Sequence, residues 1–160
     1  MTTKVLDFET ASRKAQSFCA YQERCEQELF LKCREWGLNP KDTEKLIIAL
    51  NEGDFLNEER FATAYARGKF RIKKWGKVRI RQELLFRRIG NDAIRIGLKT
   101  IDEEGNYADV LLNVLQNKIS DYEGDTQKIQ KLAHFAIGRG FESELVWQKI
   151  KTLTGNSNEF

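Results

Sequence analysis

Proline is almost missing from this chain: Pro40 is the one example in 160 residues, and the glycines are scattered. Strict apolar–polar alternation is scarce too, which argues against strands. Apolar residues recur instead at i, i+3 and i+4, the spacing of amphipathic helices. An all-α fold is the expectation. No run approaches the about 20 apolar residues that cross a bilayer, and no apolar stretch near Met1 resembles a secretory signal. Cysteine is confined to Cys19, Cys25 and Cys33, an odd number with no CxxC pair. That set suits neither a disulfide framework nor a zinc site, so reduced thiols in a cytoplasmic protein are expected.

Signals of catalysis are also missing. His134 is the lone histidine, and the GxxxxGK[ST], GxGxxG and GxSxG patterns do not occur. Glu58-Glu59 heads a predicted helix, where carboxylates complement the dipole. A metal nuclease needs carboxylates converging beside a basic surface, and the basic part of this chain offers only Glu83 and Asp92. The sequence predicts no enzyme activity, no cofactor and no metal.

What the chain does have is repetition. Leu29, Cys33, Gly37 and Leu38 are spaced 4, 4, 1; so are Ile80, Leu84, Arg88 and Ile89, and Leu132, Ala136, Gly140 and Phe141. The match continues downstream through Thr43, Ile47 and Leu50, through Ile94, Leu98 and Ile101, and through Val146, Ile150 and Leu153. A further helix precedes each pair. The chain reads as three tandem three-helix (helix-turn-helix-like) repeats, about 8–53, 57–103 and 105–155. One such unit is too small to bury its apolar faces alone, so neighbours stack, and stacked helical repeats tend to be elongated and curved. Packing as a plain bundle is the alternative. Asn39-Pro40, Asn57, Asp125-Thr126 and Ser143 are start signals. Gly37, Gly76 and Gly140 suit left-handed helix ends.

Charge is present in an uneven way. The net charge is only +3, yet Arg67 to Lys99 holds 12 basic and 2 acidic residues. The remainder holds 15 basic and 22 acidic residues, so a basic middle lies between acidic ends. Such asymmetry speaks to partners. A helix from about 58 to 74 would bury Phe61, Tyr65, Gly68, Ile72 and Trp75, and would place Arg60, Arg67, Arg71 and Lys74 on its solvent side. Lys77, Arg81 and Arg88 form a second stripe beyond a hinge at Gly76. Phe70 lies among the basic residues and could stack on a base or pack against a neighbouring repeat. The expected contact surface is Arg67, Lys69, Arg71, Lys73, Lys74, Lys77, Arg79, Arg81, Arg87 and Arg88. Each cation that meets a phosphate releases a counterion; about six contacts to single strands would give a log–log salt slope of roughly 4. The same guanidinium groups pair with carboxylates on a protein. A solvated face with no partner is the plain alternative, but such an excess repels itself unless something answers it.

The stretch GDFLNEERFATAYARGKFRIKKWGKVRIRQEL, Gly53 to Leu84, resembles the signature of the RecX family, regulators of the RecA recombinase. The matching elements are Phe55-Leu56, Glu58-Glu59, Arg60-Phe61-Ala62, Tyr65, Lys73-Lys74, Gly76, Arg79-Ile80 and Glu83-Leu84. AYQERCEQEL, Ala20 to Leu29, resembles the family's first repeat, and KLAHFAIGRGF, Lys131 to Phe141, its third. Two positions depart from the pattern. Arg88 stands where a glycine usually ends the middle helix, and His134 where a basic residue is common. The resemblance implies tandem three-helix repeats and no catalytic site. It implies a protein that lies in the groove of the RecA filament on single-stranded DNA. There such proteins hinder filament extension and strand exchange and lower ATPase and co-protease activity, in recombination and SOS DNA repair. A cytoplasmic monomer is the separate expectation. A nonspecific single-stranded DNA binder acting by competition is the other reading.

Overall fold

The computed structural model describes residues 5–155, and no strand occurs among them. The helices are α1 (Phe8–Tyr21), α2 (Glu26–Glu35), α3 (Pro40–Glu52), α4 (Glu58–Gly68), α5 (Lys77–Phe86), α6 (Asn91–Glu103), α7 (Tyr107–Ile119), α8 (Lys128–Gly138) and α9 (Ser143–Thr154). Their starts follow local chemistry. Asn39 accepts from the Asp42 N–H at 2.8 Å, with Pro40 in the first turn of α3. Asn57 accepts from the Arg60 N–H at 2.9 Å. These bonds satisfy amides that have no partner within the helix. Asp125 instead closes a turn, accepting from the Gln127 N–H at 2.8 Å, and α8 begins only at Lys128.

Three cores form in place of one. Ala11, Ala15, Leu29, Cys33, Leu46 and Leu50 build the first, from α1 to α3. Phe61, Ala66, Phe70, Ile80, Leu84, Ile94 and Ile101 build the second. Leu111, Leu115, Leu132, Ala136, Phe141 and Ile150 build the third. The repeat spacing maps onto equal positions: Leu29, Ile80 and Leu132 are each fully buried, and so are Cys33, Leu84 and Ala136. A plain bundle would merge these clusters, so the stacked-repeat alternative holds. Thr43, the polar member of its aligned set, is buried. Burial pushes the Cys33 thiol above its ordinary pKa, and the Thr43 hydroxyl opposes the shift.

The third aligned position shows why glycine recurs there. Gly37 and Gly140 have φ +82° and +102°, in the left-handed region. Arg88 adopts the same conformation, φ +63°, with its N–H donating to the Leu85 carbonyl. The helix therefore ends by the usual geometry despite the missing glycine, at the cost of placing a side chain where its Cβ crowds the backbone. Gly76 departs from its expected role. Its backbone is extended, φ −78°, and it precedes α5 in place of closing a helix.

Unit joins unit in two ways. Between the first and second, Arg60 donates to Glu23 at 2.8 Å and to Asp54 at 2.9 Å, while Cys25 enters the second core. Between the second and third, backbone meets backbone. The Gly76 and Val78 N–H groups donate to the Arg139 and Gly140 carbonyls, both at 2.9 Å. A Cβ on Gly76 would lie 2.3 Å from the Gly140 carbonyl carbon. Gly76 is thus a packed contact and no free hinge. Tyr107 completes the seam. Its hydroxyl accepts from the Lys77 N–H at 3.0 Å and donates to Glu142 at 2.6 Å, and its ring packs between Phe70 and Phe141 at 5.7 and 5.3 Å. Burial first, and then the bond to Glu142, push its hydroxyl pKa far upward.

Candidate nucleic-acid and partner interface

The basic segment begins in α4, whose end is a π-helical turn, Lys69–Lys73. A π turn takes up an extra residue per turn and rotates everything beyond it. The buried set is already Phe61, Ala62 and Ala66 within α4, before the turn, and Phe70 continues it at a spacing of four, while Ile72 is 78% exposed. The expected stripe through Gly68 and Ile72 is overturned, because the buried face runs through Ala62, Ala66 and Phe70. Phe70 is 1% exposed and packs on Tyr107, so it has no face to offer a base. Lys74 ends the turn with φ +56°, its ammonium donating to the Arg71 carbonyl at 2.7 Å.

The ten expected contact residues separate into three groups. Lys69, Arg79 and Arg87 are half-buried on aromatic rings. Lys69 lies 4.9 Å and Arg79 4.1 Å from the Trp75 ring centre, and Arg87 lies 5.1 Å from that of Tyr65. Such cation–π contacts hold the cation against its own fold. Arg71 and Lys77 are paired with acids. Arg71 approaches Glu104 at 2.6 Å, a charge contact outside hydrogen-bond alignment, and Lys77 donates to Asp102 at 2.8 Å. Arg67, Lys73, Lys74, Arg81 and Arg88 remain exposed without a carboxylate partner among the described residues. Arg60, placed on the solvent stripe by spacing, is committed to Glu23 and Asp54, and these contacts raise its pKa.

The structure also recruits cations that helical stripes along α4 and α5 do not show. Arg95 and Lys99, four apart on α6, line one open groove with Lys77 and Arg81, and Asp102 and Glu142 belong to the same lining. Arg139, from the third unit, donates to the Lys73 carbonyl at 2.9 Å and so reaches the end of the π turn. The i, i+4 pair on α6 was a readable signal; its convergence with Arg81 depended on how α5 crosses α6. Arg88 stands apart from this groove. It lines a cleft between the first two units with Phe30 and Leu31.

No cluster of three or more His, Cys, Asp or Glu able to hold a metal occurs among the described residues. No helix among them is long and apolar enough to cross a membrane.

Comparison with known proteins gives a consistent result. The family model of the RecX second three-helix domain matches residues 57–98. Regulatory protein RecX of Clostridium acetobutylicum is 31% identical over 153 residues, covering 92% of this chain and 71% of that protein. Regulatory protein RecX of Prosthecochloris aestuarii is 26% identical, covering 94% and 97%. The crystal structure of RecX from Lactobacillus salivarius superposes with a TM-score of 0.79 at 18% identity, covering 93% of this chain and 97% of that one, which speaks to the fold alone.

Proposed function

The chain belongs to the RecX family of regulatory proteins, and from that premise we propose that it regulates the RecA recombinase. It binds the RecA filament on single-stranded DNA, lies in the filament groove, and hinders extension, ATP hydrolysis and strand exchange in recombination and SOS repair. The protein acts as a cytoplasmic monomer and by occupancy, with no catalytic step of its own. The repeats 8–53, 57–103 and 105–155 serve as its three domains.

The observation that carries this reading is the uneven commitment of the middle unit's cations. Five of the ten are spent on aromatic rings or acids. Arg67, Lys73, Lys74 and Arg81 are left exposed, and Arg95 and Lys99 extend the Arg81 side as a groove. Exposed like charges in one unit repel, and the fold retains Arg67, Lys73, Lys74 and Arg81 without a carboxylate partner among the described residues, while Arg95 lies 3.7 Å from Asp92. An anionic phosphate track is the natural counterpart. A row of three small cores suits a groove, because it can span a longer stretch of filament than a single globule.

The test is the single-strand-dependent ATPase of RecA, with this protein titrated far below the recombinase concentration. Loss of activity at substoichiometric amounts is the expected outcome. Inhibition only when the protein saturates the DNA would replace this reading by simple competition for single strands.

A further inference from the structure

The cleft between the first and second units has a volume of about 540 Å³, and its lining is of two kinds. Phe30 and Leu31 of α2, Leu56 and Ile89 form apolar walls; Phe30 and Leu31 stay 48% and 59% exposed. The polar lining is lopsided in a specific way. Its carboxylates are already answered inside the chain: Glu26 accepts from Asn51 at 3.1 Å, and Glu58 accepts from the Gly90 N–H at 2.6 Å. Arg24 is committed too, donating to the Phe18 carbonyl at 2.9 Å with its guanidinium 3.6 Å from the Phe18 ring centre. One cation keeps unspent capacity. Arg88 lies exposed at the cleft, without an acceptor among the described residues.

Arg88 carries a second, independent peculiarity. It holds a left-handed backbone at the position where the first and third units have Gly37 and Gly140. A glycine there would end the helix without strain, so the arginine does nothing for the helix end. Strain at an exposed side chain with no internal partner points to a partner outside.

We infer that this cleft docks a segment of the partner protein: an apolar side chain enters between Phe30, Leu31 and Ile89, and a neighbouring carboxylate pairs with Arg88. The inference rests on the reading of RecA as that partner. A nucleic-acid strand fits less well, because its sugar-phosphate backbone brings nothing to the apolar walls. The cleft thus separates protein recognition from the phosphate-binding groove on α5 and α6.

The experiment uses the full chain and three readouts: thermal midpoint, affinity for DNA-free RecA, and affinity for a fluorescein-labelled oligo(dT). Arg88→Gly is expected to raise the midpoint, weaken RecA binding at least tenfold and leave oligo(dT) affinity within twofold. Leu31→Asp, at an exposed position, is expected to weaken RecA binding equally with an unchanged midpoint. Parallel loss of oligo(dT) affinity would make the cleft a nucleic-acid site and overturn the inference. Wild-type RecA affinity in both variants would remove the cleft from the interface while leaving the proposed function standing. A wild-type protein that neither binds nor inhibits RecA would withdraw both.

Discussion

Arg88 and Tyr107 show how much single residues decide in this molecule. Arg88 accepts a left-handed backbone that costs a non-glycine residue roughly 1–2 kcal/mol, so Arg88→Gly should stabilise the chain while removing a contact group. Opposite signs for stability and binding distinguish a functional side chain from a structural one. Tyr107 works the other way. Its hydroxyl is the shared partner of the Lys77 N–H and the Glu142 carboxylate at the seam of the last two units. Tyr107→Phe keeps the ring between Phe70 and Phe141 and removes only that oxygen. The loss should be about 1–3 kcal/mol, the cost of leaving part-buried polar groups unpaired. Chemical denaturation should show it as a lower midpoint with an unchanged slope.

Elements are set against one another by small residues and one irregular turn. α4 crosses α6 where Gly97 faces Ala62, and a Cβ on Gly97 would come within 2.8 Å of the Ala62 carbonyl oxygen. Gly97→Val should therefore force the helices apart and destabilise by about 1–3 kcal/mol, as overpacking does. Circular dichroism at low temperature should still show a helical protein, with the loss visible in the melting midpoint. The π turn follows, with Phe70 in the core and Ile72 outside. Helical periodicity made α4 itself legible, from the Asn57 cap through Tyr65. The buried face itself was misplaced, because the small Ala62 and Ala66, which pack inward from α4, gave a weaker apolar signal than Tyr65 and Ile72. The contact that accompanies the irregular turn, Phe70 on Tyr107, lies 37 positions away in sequence, and no local pattern reveals it.

At the scale of the whole molecule, three cores stand in a row, joined first to second by ion pairs and second to third by backbone bonds and an aromatic stack. Charge follows this arrangement, with the basic unit in the middle. If that unit meets phosphate through about six cations, single-strand affinity should fall with salt at a log–log slope of roughly 4. Changing Arg67, Arg81 and Lys99 together to Gln should lower the slope by about 2, at ~0.7 per lost phosphate contact. The same triple change at Lys69, Arg79 and Arg87 should leave the slope nearly unaltered, since those cations lie on Trp75 and Tyr65. Fluorescence titrations at several salt concentrations distinguish the two outcomes.

Much of this protein was determined by its sequence alone: the helices, their caps at Asn39 and Asn57, the threefold repeat and the family. Each of these depends on interactions within a few residues or on a pattern repeated along the chain, so a linear reading reaches them. Tertiary structure decided which cations are free, where Gly76 belongs, and that Arg88 faces an apolar cleft. A basic residue at a given spacing looks the same whether it ends beside Trp75, Glu104 or water. Its fate depends on groups that folding brings to it from other helices, and charge becomes a binding surface only where those groups leave it unspent.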